Sequence, residues 1–220
     1  MAGQGREYVD LLDWRRRMAE LWARWRHEAQ GDPAAATSAF RSAKDELFRT
    51  HPQSPMPNQA RAGFRGLAYW DYDPSWRVPA RFVPLQNTAG PHDQITAPRP
   101  LALPSSGPGA IALRHIGHLA LGGRLIGKHL GVFWIEGYGG GLFLPFLDRT
   151  SGNASYRAGR YLLDTLKSAD HGIDAASGEL ILDLNMAFHP SCVYDPRWAC
   201  PLAPPENRLQ IAVTAGERLA

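Results

Sequence analysis

The sequence predicts an α+β fold in which β structure dominates: an antiparallel β-barrel or sandwich-like body behind an N-terminal helical hairpin. Three observations lead there. Helical periodicity of apolar residues is confined to the first fifty positions. Short β-type runs follow, separated by Gly and Pro clusters. Strands nowhere alternate with long helices, which excludes a Rossmann-like parallel sheet. The 220 residues suit a helical hairpin over 1–50 packed on a β-rich body over 51–220. With 44% hydrophobic and 20% charged residues, disordered and fibrous classes are excluded. Lys+Arg 24 against Asp+Glu 21 leaves a net charge of +3 that no stretch concentrates, so no nucleic-acid partner is expected. No apolar run reaches the roughly 18 residues of a membrane span and no signal-peptide core is present, so the expectation is no membrane and a cytoplasmic address.

The first helix is read over 7–29. Leu11, Trp14, Met18, Leu21, Trp22 and Trp25 recur at three- and four-residue steps, with Arg15, Arg16, Arg17, Arg24 and Arg26 between them. This tryptophan stripe fits packing of the hairpin onto the body. A second helix starts at Asp32–Pro33, where Asp32 can cap free N–H groups and Pro33 lacks only a donor the first turn does not use. Phe40, Ala43 and Leu47 continue its apolar face, and His51–Pro52 ends it. The proline-rich stretch HPQSPMPNQARAGF then predicts an extended surface run. Strands are expected within 76–85, 110–121, 124–135, 142–146, 180–188 and 209–213, with ALPSSGPG at 102–109 and GYGGG at 137–141 as turn punctuation.

Several motifs fail as chemistry. GYGGG has neither the order GxGxxG nor a following Lys-Ser/Thr, and reads as a hairpin loop. No GxSxG elbow and no HExxH is present. His115 and His118, three apart on a strand, would face opposite ways and could share a metal only across a bulge. His189, Cys192 and Cys200 have the chemistry of a three-ligand zinc site, but loop cysteines of this spacing fit buried small hydrophobes or a close thiol pair better. No metal and no cofactor is therefore expected, with zinc here and a flavin in the barrel as the alternatives. A disulfide would require the loop between the cysteines to fold back.

Two segments are too polar for structure alone. PFLDRTSGNASYRAGRYL (145–162) places Asp148, Arg149, Thr150, Ser151, Tyr156, Arg160 and Tyr161 around a turn between apolar runs. LDLNMAFHPSCVYDPRWACPLAPPENRL (182–209) puts Asp183 and Asn185 at i, i+2 of a strand, on one face. Glu206 and Asn207 follow a proline-stiffened run that would fix their direction.

These stretches, with LFRTHPQSPM and ACPLAPPENRLQIAVTAGE, resemble the family called domain of unknown function 1684 (DUF1684), in its actinobacterial form, from about Trp14 to Glu217. The chain departs from that pattern at His189, where members commonly carry Asn, at Met186, where an aromatic is common, and at Ala203, within a run often all proline. An amide at position 189 argues against a family-wide metal ligand there. The resemblance implies that the motif residues belong to a shared pattern, without an activity. The leading reading is a polar cavity binding a small polar or anionic molecule through Arg149, Thr150, Ser151, Tyr156, Arg160, Tyr161, Asn185 and Asn207. A hydrolase-like enzyme with Asp183 or Glu206 as general base is the first alternative. A structural module, in which the tryptophan hairpin covers a sheet edge or a second subunit of a homodimer, is the other.

Overall fold

The structure is a computed structural model describing residues 5–85 and 99–220. It opens on α1 (Arg6–Glu28) and α2 (Pro33–Thr50). The Asp32 carboxylate accepts the N–H groups of Ala34 (3.1 Å) and Ala35 (3.0 Å), so α2 starts where its cap is. It stops at His51, held extended by Pro52 behind it. Trp22, Trp25, Ala29, Ala36 and Phe40 pack together with Ala169 and Met186 of the body. The Trp25 indole N–H donates to Thr37 Oγ1 (3.1 Å), which allows the ring to be buried whole. In the proline-rich stretch, a four-residue helix, α3 (Asn58–Arg61), interrupts the extended run the sequence predicts.

Among the described residues seven strands make the body: β1 (Arg77–Pro84), β2 (Arg99–Pro104), β3 (Ala110–Leu121), β4 (His129–Ile135), β5 (Gly141–Phe146), β6 (Arg160–Asp164) and β7 (Leu180–Asp183). They pair antiparallel in the order β6-β5-β4-β3-β1-β7. The 12-residue β3 organises the sheet: β4 runs along one edge, while β2 takes the first half of the other edge and β1 the second. A bridge between Tyr161 of β6 and Phe188, just past β7, brings the sheet ends together into a nearly closed antiparallel barrel. Alternate residues, among them Val78 and Ala80, Leu119 and Leu121, Leu130 and Val132, fill the interior with Trp76, Phe146 and Leu182.

Three strand expectations shift, and two strands, β2 and β6, lie outside the expected runs. β2 was hidden by its prolines, which an edge strand tolerates. The run at 124–135 begins as a 3-10 turn, Gly123–Leu125, and becomes a strand only at His129. The run at 180–188 breaks at Asp183, whose carboxylate takes the Asn185 N–H and starts a 3-10 turn. Residues 209–213 form no strand; Leu209 donates to Leu147 O (2.8 Å) beside a single parallel bridge. GYGGG does join β4 to β5, and at Gly140 (φ +50°) a Cβ would collide with the Trp134 ring.

Candidate functional site

The TSG turn closes on itself. Asp148 Oδ1 accepts the Thr150 N–H (3.2 Å), the Thr150 hydroxyl (2.7 Å) and the Ser151 hydroxyl (3.1 Å), and Thr150 Oγ1 lies 2.8 Å from Ser155 Oγ. Its other oxygen takes the Val213 N–H (2.7 Å) and Arg160 Nη2 (3.2 Å). Both ends of that ion pair are 1% exposed. Arg160 also donates to the carbonyls of Val213 (2.9 Å), Glu217 (3.0 Å) and Ala215, and its guanidinium sits 4.9 Å from the Trp70 ring centre. Burial draws Arg160 down to about 10 against the pull of Asp148, which leaves it cationic at neutral pH. Both terminal nitrogens are spent inward: Arg160 clips the 213–217 segment to the barrel.

Beside it Glu217, 1% exposed, collects a second set of donors. Lys44 of α2 pairs with Oε1, while the His189 N–H and the Tyr194 hydroxyl, both at 2.7 Å, meet Oε2. Burial pushes Glu217 up, but Lys44 and His189 outweigh it and hold the carboxyl below its ordinary value. His189 Nε2 accepts the Tyr156 N–H (3.2 Å), so its proton resides on Nδ1, 3.7 Å from Glu217. Burial lowers His189 to about 4, opposed by Glu217 and reinforced by Arg160 and Lys44.

Over this hub lies a cavity of about 310 Å³ between hairpin and barrel. Trp14, Met18 and Trp22 of α1 and Phe40 and Phe48 of α2 form its roof; Phe188, His189, Tyr194, Trp198 and Cys200 form its floor. Arg15, Lys44 and Lys167 line it, and among the described residues no Asp or Glu does. Lys44 is held by Glu217 and lies 5.2 Å and 5.4 Å from the ring centres of Phe48 and Phe188; Lys167 reaches Asp164 (3.1 Å). Arg15 is exposed and has no ion pair among the described residues.

None of the eight motif residues read as ligand contacts lines this cavity. Arg149 is exposed, with its backbone N–H on Ile211 O (2.9 Å). Thr150, Ser151 and Arg160 meet at Asp148 as described. Tyr156 stands behind the floor, reaching His189 through its N–H and Cys192 Sγ through its hydroxyl (3.9 Å). Tyr161 donates to Pro201 O and packs edge-on against Phe143. Asp183 and Asn185 do come together, but through the turn: Asn185 Nδ2 is 2.9 Å from Asp183 Oδ1. Asp183 further meets the Tyr72 hydroxyl (3.1 Å) and Arg77 (3.5 Å) and is fully buried; Glu206 is exposed. Arg160, Asp183 and Glu206 thus belong to three separate environments.

Asn207 acts as a strand substitute. Its side chain accepts the Gly131 N–H (2.7 Å) and donates to Gly131 O and Pro145 O (both 2.8 Å). A Cβ at Gly131 would lie 2.9 Å from Asn207 Oδ1, so the two positions require one another. Asn207→Ala leaves these backbone groups unpartnered, and we expect a loss of about 3 kcal/mol, read from the urea midpoint.

A bulge between His115 and Gly117 resets the alternation that would have separated His115 from His118. His118 pairs across from Gly131, on whose side-chain side His115 Nε2 lies, and the His118 ring stands 5.1 Å from that of His129. Even so, no three His, Cys, Asp or Glu side chains among the described residues group as a metal site. No helix is long and apolar enough to cross a membrane among them either.

Lys44, His189, Tyr194 and Glu217 were missed as a set. The available signals were a lysine four residues past Phe40 on an apolar helix face and a carboxylate closing the run IAVTAG. The expectation that the tryptophan stripe packs the hairpin onto the body holds for Trp22 and Trp25, while Trp14 and Trp22 also border the cavity.

With this geometry in hand, comparison with known proteins is informative about kinship. The solution NMR structure of an uncharacterized protein from Haloarcula marismortui is 33% identical, covers 87% of this chain and 97% of its own, and superposes with a TM-score of 0.57. No curated protein matches. A family model described as "Protein of unknown function (DUF1684)" matches residues 62–218, which takes in the barrel and the Arg160 and Glu217 hubs but not α1 and α2, the cavity's roof. The chain belongs to the DUF1684 family.

Proposed function

We propose that the protein binds a small amphipathic anion, apolar or aromatic in its body, in the cavity between hairpin and barrel. The observation that carries this reading is a space with aromatic walls lined, among the described residues, by three cationic side chains and no carboxylate. The volume suits a molecule of modest size. Lys44, His189 and Tyr194 turn their polar ends toward Glu217, so the interior offers apolar surface. Arg15 at the rim is left to take the ligand's charge. The motif residues around Arg160 and Asn207 then serve to hold the floor in place. The buried, fully partnered state of Asp183 and the exposure of Glu206, both away from the cavity, favour binding over hydrolysis.

The test is titration of octanoate and of octanol, followed by quenching of tryptophan emission, since Trp14, Trp22 and Trp198 border the space. Octanoate should bind saturably and more tightly than octanol. Arg15→Ala should weaken octanoate about 3- to 10-fold and leave octanol nearly unchanged, as loss of one partly exposed charge contact does. Absence of saturable binding by both probes, or equal binding indifferent to Arg15, would defeat the proposal.

A further inference from the structure

Two imidazoles meet on the outer face of the sheet. In the β3–β4 ladder Leu119 lies opposite Leu130, and both turn into the core. Their neighbours face outward: His118, opposite Gly131, and His129, opposite Ala120, stand diagonally across the ladder on one side. The other two corners are Gly131 and Ala120, whose lack of bulk lets the rings approach. Their centres lie 5.1 Å apart, with the planes at 90°. From this juxtaposition we infer that His118 and His129 chelate a divalent late transition-metal ion, of the class of Zn2+ and Cu2+, on the outside of the barrel.

The spacing is that of a chelate. Two imidazoles on one tetrahedral ion, each nitrogen about 2.0–2.1 Å from it, hold their ring centres about 5 Å apart. Both residues stand on paired neighbouring strands, so the ladder fixes the two anchors before any ion arrives. His118 is half-buried and His129 exposed, which leaves the ion a way in and room for waters to complete its coordination. Burial, with His129, His115 and Arg81 nearby, lowers His118 from its ordinary value. Its ring is therefore neutral at pH 7 and keeps a lone pair for a metal. Imidazole nitrogen selects the borderline ions of the late first row over Mg2+ or Ca2+, which take oxygen. His115, brought to this face by the bulge, aims its Nε2 over Gly131. It is not a third ligand, in keeping with the lack of any three-ligand group among the described residues. Neither His118 nor His129 lines the cavity, so this inference stands apart from the ligand proposed above.

The experiment titrates the metal-free full-length protein with Zn2+, Cu2+ and Mg2+ in turn, by calorimetry. The histidine ring signals are followed in parallel by NMR for Zn2+. Zn2+ should bind saturably and shift the His118 and His129 rings together; Cu2+ should bind more tightly, and Mg2+ should do neither. His129→Gln, at an exposed position that does not threaten the fold, should weaken Zn2+ about tenfold or more, since a single imidazole is no chelate. His27→Gln, exposed on α1, should leave the affinity unchanged. Absence of saturable Zn2+ binding, shifts at only one of the two rings, or an affinity that survives His129→Gln or falls equally in His27→Gln would overturn the inference.

Discussion

Lowering the pH from 7 to 4 should cost the protein about 6 kcal/mol of stability, comparable to the whole stability of an ordinary domain. Two buried imidazoles are responsible. His189 is lowered by burial to about 4 and His171, for the same reason and beside Arg77 and Arg26, to about 3. His171 Nδ1 accepts the Asp183 N–H (3.1 Å), its ring stacks 5.6 Å from that of Trp22, and its Nε2 has no acceptor among the described residues. A proton added to either ring would face a backbone N–H. The unfolded chain protonates both near pH 6.5, so between that pH and the folded values it binds more protons than the native state. Stability therefore falls as the pH falls through this window, by up to about 1.4 kcal/mol per pH unit for each ring. Urea denaturation at half-unit steps from pH 7 to 4 reads the slope directly. His189→Asn keeps an acceptor for the Tyr156 N–H and should remove about half of it. A stability flat down to pH 5, or a variant with the parent's slope, would refute the assignment.

Arg160→Met should be the most damaging single substitution in the barrel, costing about 4 kcal/mol or more. Methionine replaces much of the volume, so the loss isolates the charge. Asp148 would be left buried without its cation, and the carbonyls of Val213, Ala215 and Glu217 would lose their donor. Arg160→Lys should recover only part, because one ammonium cannot reproduce the guanidinium fork across an Asp and three carbonyls. Adding Asp148→Asn to Arg160→Met should cost less than the sum of the two single changes. Chemical denaturation monitored by near-ultraviolet circular dichroism decides the matter; a loss below about 1 kcal/mol for Arg160→Met would mean the network is dispensable.

Helices were the most readable part of this chain because their signals are local. The Asp32 cap, the proline after it and the His51–Pro52 stop all lie within a few residues of what they control. Turns with their own chemistry, such as GYGGG, were readable for the same reason. β2 and β6 were not: one carries prolines that an edge strand can accept, and the other lies in a polar motif whose partners are far along the chain. Strand alternation puts Asp183 and Asn185 on one face, whereas a side-chain bond to the backbone ends the strand at Asp183 and brings the two into contact. His115 and His118 show how one extra residue in β3 reverses a parity argument. The cavity was the least legible feature. Its walls come from positions 11 to 55 and 167 to 200, and Lys44 finds its counter-charge only at Glu217, so no single window of sequence displays it.

The grip of Arg160 on three carbonyls between Val213 and Glu217 also sets an order of events during synthesis. A nascent chain acquires the arginine and Asp148 well before their acceptors and the Val213 amide exist. Until those residues leave the ribosome, the cation must remain hydrated and the barrel unsealed. Closure of the barrel thus waits on residues 213–217, and a ribosome that pauses before they emerge holds an open sheet for chaperones to guard.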